Sequence, residues 1–100
     1  MKNNSLNIVQ VVRLTGSNVV CKENTYLIEV ILVSDGGGVG DALLYNGQTT
    51  GGDKAIDLSV LQGSTLHLSF NRPIPFINGM YLAIGSNVTS CTLVIASVED

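Results

Sequence analysis

Tryptophan is absent from this chain, and most residue types that perform chemistry are nearly so. There is one histidine, two cysteines, two prolines and five aromatic residues, and only 13% of the 100 residues are charged. Each shortage excludes something. Two thiols and one distant histidine cannot supply a four-ligand zinc site, and Cys21 and Cys91 have no CxxC companion. The five basic residues (Lys2, Arg13, Lys22, Lys54 and Arg72) are scattered singly in a chain of net charge −3, which leaves no basic stripe for phosphates and excludes nucleic acid as a partner. No apolar run approaches the roughly 20 residues that span a bilayer, and the start, MKNNSLNIVQVVRL, has asparagines where a signal peptide needs an apolar stretch. The expectation is a soluble chain, made in a cytoplasm and without a membrane partner.

What is present is apolar and turn-rich. Hydrophobic residues make up 45% of the chain and its mean hydropathy is +0.36. One domain of 100 residues has a single small core, so part of this apolar surface is expected to meet another chain. Helical periodicity is nearly absent. Short β-branched runs recur about every ten positions and predict strands at 7–14, 18–22, 26–34, 41–46, 54–60, 64–70, 80–85 and 89–98. Eight short strands without a helix predict an all-β fold, an antiparallel β-sandwich of jelly-roll type, over residues 1–100, with 1–5 as a loose N-terminal arm.

Seven of the eleven glycines fall in 35–54, DGGGVGDALLYNGQTTGGDK. The stretch contains neither GxGxxG nor GxxxxGK[ST], and no helix follows to face a phosphate. Asp35, Asp41 and Asp53 match no EF-hand spacing, so neither nucleotide nor metal is expected as a cofactor. These glycines read as tight turns and a mobile loop. Asn46-Gly47 and Asn78-Gly79 are the fold-defining turns, with positive φ expected at Gly47. In NRPIPF, Pro73 and Pro75 bar a central ladder position and predict an edge strand or a crossover between sheets.

Alternation marks the faces. In TLHLSF, Leu66, Leu68 and Phe70 point one way, and Thr65, His67 and Ser69 the other. In YLIEVILVS, Tyr26, Ile28, Val30 and Leu32 are expected in the core, with Leu27, Ile31 and Val33 crowding the opposite face around Glu29. In the last strand Cys91, Leu93 and Ile95 oppose Val94, Ala96 and Val98. Strands apolar on both faces need cover on both. The candidate self-association face is therefore Leu27, Glu29, Ile31, Val33, Val94, Ala96 and Val98, covered by a second copy of the chain or by a long loop folded over the sheet.

Catalytic readings are thin. His67 has no local signature of a nucleophile or an orienting carboxylate, and Asp53 and Asp57 lie on one strand rather than across a cleft. The chain is read as not an enzyme. Tyr26, Tyr45 and Tyr81 leave a carbohydrate-binding module as the alternative of another class. Asn87-Val88-Thr89 is a glycosylation sequon with no secretory route to use it. Reduced, packed cysteines are favoured over a Cys21 to Cys91 bridge.

Over residues 26–97 the order of motifs resembles small β-sandwich virion proteins of tailed bacteriophages. It consists of ALLYNG at Leu43 to Gly47, the strand GSTLHLSF, PIPFINGMYLAI with Phe76 to Leu82, and the closing TLVIA. Asn46 stands where those proteins more often have aspartate. The resemblance implies a capsid decoration (cement) subunit, often trimeric, that binds the major capsid protein or another virion protein. A tail, collar or fibre module is its alternative, and the virion, assembled in the host bacterial cytoplasm, is the implied location.

Overall fold

The structure, a computed structural model, describes the backbone of residues 6–98 and the side chains of 9–97. The expected N-terminal arm at 1–5 lies outside the described residues. Eight strands follow one another: β1 (Leu6–Leu14), β2 (Asn18–Cys21), β3 (Thr25–Ser34), β4 (Gly40–Asn46), β5 (Asp53–Val60), β6 (Thr65–Phe76), β7 (Met80–Ile84) and β8 (Val88–Val98). They form two four-stranded antiparallel sheets packed as a sandwich. The front sheet runs β1-β8-β3-β6 and the back sheet β2-β7-β4-β5. Strand 4 pairs with 5, 3 with 6, 2 with 7 and 1 with 8. This nested pairing is that of one long hairpin rolled around a core, the jelly-roll order.

Register explains the core. Residues paired across antiparallel strands share a face, so Val12, Leu93, Val30 and Leu68 form one inward row of the front sheet. Leu14, Cys91, Leu32 and Leu66 form the next. Opposite them, Leu82, Leu44 and Ile56 line the back sheet, and Phe76 and Met80 close the layer. Such contacts between β-branched and leucine side chains stabilise by about 1.5–3 kcal/mol for each side chain fully buried.

The expected faces of β3 need one correction. Between Leu27 and Glu29 the register slips: on β8 their partners Ile95 and Val94 are adjacent, so Ile28 is a bulged extra residue. A bulge reverses the phase of alternation. Leu27 is therefore a core residue, fully buried, and not part of an outer face, while Tyr26 and Ile28 are only half-buried. The same slip spans Phe70 to Pro73 on β6, which carries four residues opposite one. β6 is an edge strand that continues through Pro73 and Pro75 to Phe76, so NRPIPF is an edge and not a crossover.

Candidate functional site

The outer face of the front sheet is read row by row. Val9, Ala96, Tyr26 and Pro75 lie across the strands; next come Val11, Val94, Glu29 and Ser69; then Arg13, Thr92, Ile31 and His67. Val33 sits beyond, between Ser90 and Thr65. Of the residues expected here, Glu29, Ile31, Val33 and Val94 are half-buried in the described chain, and Ala96 is shielded by its neighbours. Leu27 is in the core, as noted, and the side chain of Val98 lies outside the described residues. The most exposed apolar members were not expected: Val9 is 60% and Val11 69% exposed. Their signal was present in NIVQVVRL, a run apolar in both phases of alternation.

The same face holds a close polar side-chain pair between strands. His67 Nε2 lies 2.6 Å from Glu29 Oε1, a contact invisible without the β3–β6 register. Ser69 stands beside both, but among the described residues no hydrogen bond joins it to His67. The pair lies on an open sheet face whose backbone N–H groups belong to ladders rather than to an oxyanion hole. It can hold a proton and orient a charge, but these neighbours give it no nucleophile to activate.

On the outer face of the back sheet Tyr45 pairs with Tyr81, ring centroids 6.5 Å apart and tilted 59°. Val19 and Lys54 flank them. Tyr26 is on the other sheet, so the three tyrosines do not form one platform. Asp57 lies 3.6 Å from Lys54 in an exposed pair, and Asp53 stands opposite Asn46 on the same edge strand. Exposed pairs of this kind contribute about 0–1 kcal/mol.

The glycine loop turns its polar groups upon itself. At this upper end of the sandwich the N–H groups of Gly36 and Gly63 both donate to Ser34 Oγ, which donates in turn to Gly38 O. Gly37 N–H donates to Asp35 Oδ1 at 2.7 Å, and Gln62 Nε2 to Gly36 O. Asn87, with φ of 61°, donates its amide to Val39 O, and Asp41 Oδ1 accepts from Ser86 N–H. Asp35 and Asp41 are thus engaged in holding loops, and Asp53 lies at the other end of the sandwich opposite Asn46, so the three aspartates do not converge. The loop is tied at both shoulders by these bonds. No group of three or more His, Cys, Asp or Glu converges among the described residues.

At the lower end the two Asn-Gly turns meet. Asn78 N–H donates to Asn46 Oδ1, and Gly47 N–H to Gly79 O. Gly79 has φ of 99°, as a turn glycine should, but Gly47 does not appear among the positive-φ glycines. Gly47 is there for proximity. A Cβ on it would lie 3.1 Å from Gly52 Cα, and one on Gly52 would lie 2.6 Å from Asn46 O. Cys21 and Cys91 are both free. The register puts Cys21 in this lower end, beside Met80, and Cys91 near the upper end between Leu14 and Leu32, so no bridge forms. Burial pushes the Cys91 thiol up to about 12.

The chain matches no family model, no curated protein and no solved structure significantly.

Proposed function

We propose that this chain is a non-enzymatic structural subunit of a tailed-phage particle, in first place a capsid decoration (cement) subunit that self-associates and attaches to the major capsid protein. The observation that carries the reading is the outer face of the front sheet. Val9 and Val11 are mostly exposed there and continue by register into the half-buried Val94 and, past the buried Ala96, into the half-buried Tyr26. A contiguous apolar face supports contact with protein rather than with solvent. The jelly-roll order adds support, because it recurs in viral capsid and lectin domains. A fold alone assigns no role, and the motif order of residues 26–97 is what inclines the reading towards virion proteins.

A tail, collar or fibre module is the second reading and differs only in which particle protein is bound. The Tyr45 and Tyr81 pair favours the reading of another class, a sugar-binding module. Co-sedimentation with purified capsids and with purified tails, beside a glycan array, separates the three. Saturable binding to capsids is expected. Binding to tails alone moves the chain to the second reading, and glycan binding without either moves it to the third.

A further inference from the structure

A sandwich of two sheets has four edge strands, here β1 and β6 in front and β2 and β5 behind. An open edge presents unpaired N–H and C=O groups to any passing strand, and proteins usually blunt it. Three of these edges are blunted. β6 carries Pro73, Pro75 and a bulge of four residues. β5 carries Asp53, Lys54 and Asp57. β2 is four residues long and slips register between Val19 and Cys21. β1 differs from all three. It has nine residues, no proline, and a continuous ladder to β8 from Ile8 to Leu14. No described strand pairs with its other side.

The sequence of β1 suits one occupant in particular. β1 slips register only at its start, between Leu6 and Ile8; laid antiparallel on itself with Gln10 opposite Gln10, its regular part overlaps over Ile8 to Val12. Val9 of each copy then faces Val11 of the other on the outer side, where both are exposed. Arg13, the strand's charged residue, falls opposite residue 7 rather than opposite a second arginine. The pairing buries apolar side chains, satisfies both edges and brings no like charges together.

We infer that β1 pairs with β1 of a second copy about a two-fold axis through Gln10, joining the two front sheets into one continuous eight-stranded sheet. The contact is isologous, the same strand serving both sides. It uses part of the face described above but stands whether or not the chain belongs to a particle. It gives a two-fold pair where the resemblance to virion proteins gives a trimer.

Sedimentation of the full chain over a wide concentration range, together with residue-resolved amide exchange, tests it. A monomer–dimer equilibrium is expected, with every second amide from Val9 to Leu14 protected only at high concentration. Val11→Lys should weaken the pair more than about tenfold, since symmetry introduces the lysine twice, while Ile31→Asp should leave it within about twofold. Adjacent strand residues send their N–H groups to opposite edges. Of Gln10→Pro and Val11→Pro, one should therefore stay folded as a monomer while the other loses stability. A monomer at millimolar concentration overturns the inference. So does a trimer, or an assembly abolished by Ile31→Asp but not by Val11→Lys. Failure to bind capsids with the dimer intact counts against the particle reading alone.

Discussion

The two ends of the sandwich are held by different means. At the upper end side chains do much of the holding: Ser34, Asp35, Gln62 and Asn87 reach into the loops, where Gly36 and Gly63 have free space around them while Gly38 and Gly40 sit tight against Asn87. At the lower end backbones approach one another directly, and Gly47, Gly52 and Gly79 leave out the atoms that would keep them apart. The contrast teaches that glycine content alone does not locate a ligand loop. The upper loop has more glycines in a row yet is held largely by its polar neighbours, with Gly40 alone pressed against backbone, whereas the lower loops depend on the glycines themselves.

The largest effect should come from Gly79→Val. A Cβ there meets Cys21 O at 2.8 Å, and φ is 99°. A β-branched residue at such a φ should cost about 3 kcal/mol or more, read as a fall in the denaturant midpoint. Ser34→Ala comes next. It removes the acceptor shared by Gly36 and Gly63 in a nearly buried site, for about 2 kcal/mol. If Ser34→Ala were as mild as a surface change, the upper end would not be side-chain-held and the contrast would fail.

The cysteines probe the same two ends chemically. In the native protein Cys21 should alkylate, and Cys91 only as fast as the chain unfolds, while reductant should leave the melting temperature unchanged. The sign of the pH effect follows from the raised Cys91 thiol. The folded state binds this proton more tightly than the unfolded one. Its contribution to stability is therefore full below the ordinary value of 9.0 and is lost as pH climbs from there towards about 12. Cys91→Ala should flatten that alkaline limb in a pH series of melts. The smallest effect is expected at Gly16, where a Cβ meets nothing within 4 Å and φ is not positive. Gly16→Ala should be neutral or stabilise by about 0.5 kcal/mol through the unfolded chain.

Much of the fold was legible because punctuation is local. TGSN, KENT, NGQTTGGD and GSN each broke a β-branched run, and the strands begin and end close to them. A missing N–H at Pro73 and Pro75 left an edge strand or a crossover open, and the structure shows the edge. What failed was whatever depended on register. Ile28 looks like any other strand isoleucine, and nothing local marks it as the bulge that sends Leu27 inward. Glu29 and His67 are far apart in the chain and meet only through the β3–β6 ladder. Asn46 and Asn78 each announced a turn, but not that one turn would bond the other. At the candidate face, strands apolar in both phases are readable in 26–34 and 89–98, and equally in NIVQVVRL, but only the edge position of β1 leaves Val9 and Val11 exposed.

The nested pairing of strands also orders events in time. β1 and β8 are at opposite ends of the chain, and joining them directly would close a loop many times longer than the 47–52 loop between β4 and β5. The difference in closure entropy is about 2 kcal/mol. If β4 pairs with β5 first, each outer pair then needs only the short loops beside it, and the large closure is never faced at once. A chain that forms from its middle outward should show early amide protection in Leu43, Leu44 and Leu58 and late protection in Val12 and Leu93 during refolding. The reverse order in pulse-labelling would sink this sequence of events. Topology of this kind makes for slow folding, and it leaves the β1-facing edge of β8 without its partner until the final step.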